Sequence, residues 1–231
     1  MRRGATLLVL AASALLAAGA GAASREVSVL SVPPLVTPPL GPGARVFPAF
    51  GAVYASDTFG AGRGDVAGGW HHGDDLFAPV GTPVLACADG LVFSVGWNRV
   101  GGWRLWLVDG EGNEFYYAHL SGYSAFAVDG AVVHAGDVLG FVGDTGDARD
   151  TPPHLHFEVH PVSLLELGYD GAVDPDPYLK TWRRAAAIPK RARGGWTRRP
   201  AARPAAVLVA ATDISAASGL DLDALARAAG R

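Results

Sequence analysis

Residues 151–160 read TPPHLHFEVH and hold three of the seven histidines in the chain. In an extended segment side chains alternate between faces, so His154, His156, Glu158 and His160 share one side while Leu155, Phe157 and Val159 share the other. One face is apolar enough for a core, and the opposite one is a row of metal ligands or proton carriers. Imidazoles two residues apart on a strand stand roughly 6 to 7 Å apart. That is too far for both to clamp one ion, but it suits one ligand and one neighbour that reaches water on the same ion. Alone, a His-x-His pair also fits a structural metal site or a chance pairing.

Two further stretches carry candidate chemistry. In GWHHGDDLFAPVGTPV, His71 and Asp75 are four apart, an even spacing that places both on one face of an extended segment, with Gly73 between them permitting a close bend. His72 and Asp74 then face the other way. A neutral imidazole plus a carboxylate is a partial zinc shell, although two hydrated surface side chains would give the same pattern. In FYYAHLSGY, His119 lies near the end of an apolar run where a strand meets a loop. By alternation it shares a face with Phe115 and Tyr117. As a single histidine it fits a core or rim residue as well as a catalyst.

The elements that must position these groups are strands. TPVLACADG, LVFSVGWN, WRLWLVDGEG, NEFYYAHL, AVVHAGDVLGFVGDTG and HLHFEVH are short β-branched and aromatic runs separated by glycine turns. Such runs predict antiparallel strands joined by tight connections, with DGEGN as a hairpin turn. Between residues 46 and 182 helical periodicity is confined to a turn or two in PVSLLELG and DPDPYLKTW, which argues against parallel βαβ architecture, and VLVAATDISAASGLDLDALARAAGR reads as a short terminal helix. The chain holds 31 glycines and 16 prolines among 231 residues, a high share that fits a loop-rich β domain.

The ends differ from the middle. Arg2 and Arg3 precede the apolar run Ala5 to Ala22, which closes on Ala20-Gly21-Ala22. This reads as a secretory signal peptide over residues 1–22, with an uncleaved membrane anchor as the competing reading. Residues 23–45 are proline-rich and read as a linker. Residues 46–182 form the β domain and carry 18 acidic against 5 basic side chains, whereas residues 183–203 carry 8 basic ones and no acid. Residues 183–231 read as a basic, Ala/Arg-rich tail, largely disordered, able to hold anionic wall polymers or lipid headgroups through salt-sensitive attraction. An exported chain with an acidic body is a poor nucleic-acid binder. Its single cysteine, Cys87, has no partner and reads as a small buried hydrophobe. With the signal removed, no membrane span remains and the protein is expected in the secreted or cell-envelope space.

Taken together, His-x-Gly-x-Asp, then Tyr-x-His-Leu, then His-Leu-His-Phe-Glu resemble the three motifs of the lysostaphin-type (LytM-like) zinc metallopeptidases, bacterial cell-wall endopeptidases. The resemblance runs from Phe47 to Trp182 and includes APVGTPVLACADGLVFSVG and HAGDVLGFVGDTG. It implies an all-β, antiparallel two-sheet domain with an open groove, short helical pieces at its C-terminal end, and Zn2+ bound by His71, Asp75 and His156. A fourth position is then left for water, with His119 and His154 as the catalytic histidines. Two neutral imidazoles and one carboxylate keep the ion strongly Lewis acidic. Glu158 competes as general base, but its place two residues beyond His156 favours holding a ligand imidazole, with Tyr117 as a further candidate support. The implied activity is hydrolysis of peptide bonds in peptidoglycan stem peptides or cross-links; the alternative is a non-catalytic wall-binding or hydrolase-activating module on the same fold. A related wall carboxypeptidase is disfavoured by the four-residue His71–Asp75 spacing. Thr151-Pro152-Pro153 departs from the glycine or serine approach of many relatives. No ligand is legible in SDTFGAGRGDVAGGW, and His134 reads as structural.

Overall fold

The computed structural model describes residues 28–189, so the expected signal peptide and most of the basic tail lie outside the described residues. Ten strands follow one another as β1 (Tyr54–Ser56), β2 (Asp74–Phe77), β3 (Pro83–Leu85), β4 (Gly90–Asn98), β5 (Gly102–Asp109), β6 (Glu114–Leu120), β7 (Gly122–Tyr123), β8 (Val132–Val133), β9 (Val138–Phe141) and β10 (His154–His160). Two single-turn helices, α1 (Val162–Leu165) and α2 (Asp176–Leu179), come last. They occupy the two stretches where the sequence showed helical spacing.

Every strand pair is antiparallel. The larger sheet has the order β1-β2-β10-β6-β5-β4-β8 and the smaller one β3-β9-β7. The expected β5–β6 hairpin is closed by a carboxylate: Asp109 Oδ1 accepts from the main-chain N–H of Glu111 at 3.0 Å and of Asn113 at 2.9 Å. Gly112 there takes φ +92, a left-handed conformation that favours glycine.

The core lies between the sheets. Leu76, Leu105, Leu107, Phe115, Tyr117, Leu155, Phe157 and Val159 from the large sheet pack with Val84, Leu139 and Val142 from the small one. Burying side chains of this size contributes about 1.5 to 3 kcal/mol each. Cys87 belongs to this core, where burial pushes its thiol up to about 12. The other face of the large sheet is covered too: Phe93, Val100, Trp106, Tyr116 and Ala118 form a second cluster. β10 is therefore buried on both sides, and all seven of its residues are enclosed.

The proline-rich segment runs along this body as a strap. Leu30 O accepts from Trp70 Nε1 at 2.7 Å, Pro38 O from the Tyr178 hydroxyl at 2.6 Å, and Leu40 O from Asn113 Nδ2 at 2.8 Å. Arg45 then pairs with the buried Asp109 at 2.6 Å. Among the described residues no helix is long and apolar enough to cross a membrane.

One buried group is left without compensation. Glu114 is 1% exposed and neither carboxylate oxygen has a hydrogen-bond partner. Burial raises its pKa to about 7, against a smaller opposing pull from His160. The folded state therefore holds this proton more tightly than the unfolded chain, and stability falls as pH climbs from about 4.5 through 7. Glu114→Met should remove up to about 3 kcal/mol of that loss. Thermal melts at pH 4 and pH 8 test this: the gain in Tm over wild type should be larger at pH 8.

Candidate metal centre and catalytic cleft

Register brings the motifs together. β10 pairs with β2 so that His156 lies opposite Asp75, and with β6 so that His156 also lies opposite Ala118, next to His119. His71 precedes β2, and its backbone is held by reciprocal bonds: its N–H donates to Ala61 O and its carbonyl accepts from Gly60 N–H, both at 2.8 Å. Gly73 is required between His71 and β2. A Cβ on it would meet Phe157 O at 2.3 Å and Glu158 Cγ at 2.8 Å, so any larger residue drives β10 away from the first motif.

Four imidazoles face one another across this cleft, and each has its second nitrogen fixed by an acceptor. His71 Nδ1 donates to Thr58 O at 3.1 Å, His119 Nδ1 to Thr145 O at 2.8 Å and His154 Nδ1 to Pro152 O at 2.9 Å. His156 is turned the other way, its Nε2 donating to Glu158 Oε1 at 2.8 Å. A carbonyl or carboxylate can only accept, so each of those nitrogens carries a proton, and the remaining four nitrogens face the cleft. His71 Nε2 and His156 Nδ1 stand 2.8 Å apart, and Asp75 Oδ1 lies 3.4 and 3.3 Å from them. Lone pairs at that distance repel unless a cation or proton lies between them. Tetrahedral zinc with bonds of 2.0–2.1 Å has ligand–ligand edges of roughly 3.3 Å, so the donor set fits such an ion with the two imidazoles slightly close. These are the three residues singled out from the sequence. The two other histidines of the site flank them: the His119 ring centroid is 4.9 Å from that of His154 and 5.8 Å from that of His156.

Comparison with known proteins places the region in a family. Residues 69–175 match the family model described as Peptidase family M23. Residues 69–175 form a domain of that family. The M23 region is 36% identical over 132 residues to the L-Ala–D-Glu endopeptidase of Bacillus subtilis, covering 55% of this chain and 40% of that protein. It is 33% identical to the catalytic domain of the antimicrobial peptidase lysostaphin from Staphylococcus simulans, covering 55% of this chain and 92% of that one, with a TM-score of 0.46. The crystal structure of a lytM protein from Ruminococcus gnavus shares 28% identity at a TM-score of 0.50, over 62% of this chain and 63% of that one. The chain spans less than half the length of the curated relatives it matches first.

The electrostatics of the M23 site follow from burial plus paired acids. Burial lowers the pKa of His71, and lowers that of His119 well below its ordinary value, with His156 and His154 adding to the effect at His119. At His156 burial also pulls downward, but hydrogen bonds to Asp75 and Glu158 outweigh it and raise the pKa to about 9. The same field that would hold a cation draws a proton when none competes. Behind His156 a polar chain continues: Glu158 Oε2 meets His160 Nε2 at 2.6 Å, and His160 Nδ1 donates to Asp170 O at 2.5 Å. With one nitrogen donating to a carbonyl and the other to a carboxylate, His160 carries both protons. Against the cost of burial, Glu158 raises the His160 pKa while its own is held well below the carboxylate range.

One residue falls elsewhere than alternation predicts. Tyr117 lies on the core face, its hydroxyl accepting from Cys87 N–H at 2.9 Å and its ring packed on Phe157. The reason is the backbone at His119, whose φ of +62 breaks the two-residue period, so that Leu120 takes the core side and His119 turns into the cleft. Tyr117 supports the strand, not the site. His72 stacks on Trp70 at 4.1 Å between centroids and faces Asp170, away from the other four imidazoles. His134 is exposed at a turn beside Asp89. The sequence did not reveal two residues that line the cleft, Arg63 and Asp147. Their signal was slight: Arg63 is the lone cation of the glycine-rich stretch before the first motif.

Two substitutions separate these roles. Glu158→Ala should weaken zinc binding about 10- to 100-fold in a competitive chelator titration, because the His156 ring loses its anchor. Tyr117→Phe should leave zinc affinity unchanged and lower stability by about 1 to 3 kcal/mol, because the Cys87 N–H loses its partner in the core.

Proposed function

We propose that this protein is a zinc-dependent endopeptidase that hydrolyses peptide bonds in peptidoglycan stem peptides or cross-links. The reading rests on one observation above others: three imidazoles with one nitrogen each anchored and the Asp75 carboxylate line a solvent-reached cleft, with the anchored, buried ring of His156 against His71 and Asp75. His71 Nε2, Asp75 Oδ1 and His156 Nδ1 would hold the ion. Bound zinc supplies a Lewis acid and brings the pKa of its water from 15.7 toward about 7.

The chain's own residues do the rest. His119 and His154 each turn Nε2 into the cleft, and burial keeps His119 neutral, ready to accept a proton from attacking water. Asp147 Oδ1 lies 3.8 Å from His119 Nε2 and stabilises the proton once it arrives. The protonated imidazole can then return it to the leaving nitrogen. His154 Nε2 lies 3.6 Å from Asp75 Oδ1, which places it beside the proposed ion site. The carbonyls of Thr145 and Pro152 keep both rings from turning over.

The non-catalytic alternative gains no support from the site, since a module that only binds has no need of two oriented imidazoles beside three potential ligands. Residues 46–182 are the proposed catalytic unit, preceded by an export signal and the docked strap. The basic tail is proposed as an attachment to anionic wall polymers. The place of action is then the cell envelope or its exterior.

Chelation should abolish release of fragments from purified peptidoglycan, and zinc add-back should restore it. His119→Ala should lower turnover at least 100-fold with zinc content still near one per chain. Activity that ignores the metal overturns the reading, and loss of zinc from His119→Ala reassigns that residue.

A further inference from the structure

The cleft that holds the site has a volume of about 490 Å3 and is bounded by two walls. One is the glycine-rich stretch leading to His71; the other is the connection between β9 and β10. Arg63 from the first wall reaches Asp147 on the second, so a single guanidinium closes the mouth of the cleft beside His119.

Its hydrogen bonds leave an open edge. Nε donates to Asp65 Oδ1 at 2.8 Å and Nη2 to Asp65 Oδ2 at 2.7 Å, while Nη2 also donates to Asp147 Oδ2. The two N–H groups on Nη1 have no partner among the described residues. Of the charged side chains lining the cleft, Asp65, Asp75 and Asp147 are acids and Arg63 is the one cation. Its hydrogen bond to Asp65 keeps that cation permanently charged despite partial burial. Asp65 and Asp147 fix the fork in place, so little side-chain freedom remains to be lost when a ligand arrives.

The placement decides which part of a substrate this edge meets. Asp147 touches both Arg63 and the Nε2 side of His119, the nitrogen that carries the proton toward the leaving amine. The amine half of the cleaved peptide therefore lies toward Arg63. We propose, on the basis of the endopeptidase reading above, that Arg63 Nη1 binds a carboxylate attached to the carbon that bears the scissile nitrogen. The substrate class is then an acidic stem peptide or cross-link, with a free carboxylate next to the cut bond, and not a neutral glycyl bridge. Two sources offer that carboxylate in wall peptides: a glutamate joined through its γ-carboxyl, and a diamino acid acylated on one amine.

The test uses zinc-loaded full-length protein and four synthetic peptides. Two carry glutamate and two carry the diamino acid on the amine side of the bond, each pair as free acid and as carboxamide. Wild type should favour the acid about tenfold or more in kcat/KM within at least one pair, as a charge-assisted bond implies; the pair that shows it names the source. In Arg63→Gln that acid-to-amide ratio should fall to near one, and Arg63→Lys should retain part of it. The same preference should appear in binding, measured by titrating His119→Ala with the uncleaved peptides. Wild type that cleaves acid and amide equally overturns this proposal and leaves the endopeptidase reading standing. Arg63→Gln that slows both peptides by one factor, keeping the ratio, also overturns it and makes Arg63 a brace for Asp147. Wild type that releases fragments from purified peptidoglycan but neither cleaves nor binds any of the four overturns this proposal alone; wild type inactive on peptidoglycan as well overturns both.

Discussion

An imidazole has two nitrogens, and a cleft that turns one nitrogen of each of four rings inward has to satisfy the four N–H groups on the other side. In this protein the carbonyls of Thr58, Thr145 and Pro152 and the carboxylate of Glu158 do so. Each acceptor sets a tautomer and a ring orientation at once. His156 is the exception in direction, facing the cleft with Nδ1 where the others use Nε2, because Glu158 lies two residues farther along the same strand face. Which nitrogen of each ring faces the cleft follows from these four hydrogen bonds.

Holding them fixed demands burial, and burial makes their polar partners costly. The large sheet meets this by being covered on both faces, so β10 carries Phe157 into the main core while His156 and Glu158 stay dry on the reverse side. A carboxylate enclosed there needs opposite charge, which His160 supplies from the next same-face position and Asp170 O orients. Glu114, on the same face of the neighbouring strand, has no such partner and remains the weak point of this layer. The strap before the domain completes the cover by holding Trp70 and thus the approach to His71.

Much of this was legible in the residues. Alternation in HLHFEVH separated the core face from the opposite one correctly, the glycine turns marked the hairpins, and of the five residues named by the three spaced motifs the structure lines one cleft with four and packs His156 against two of them. Alternation failed at one point, placing Tyr117 with His119, because a positive φ at a histidine leaves no mark in the pattern of apolar and polar residues. Arg63 and Asp147 escaped notice for a different reason. They are 84 residues apart and sit in loops, where no period ties a side chain to a face.

The sequence by itself determined the strand-rich architecture, the position of the core face along β10 and the chemical identity of the donors, because these depend on local periodicity and residue type. Only the tertiary structure decided which nitrogen of each imidazole faces the cleft, how close Asp75 comes to two of them, and that a guanidinium closes its mouth. Those are set by acceptors from loops distant in the chain and by strand register, and neither has a signature within any one segment.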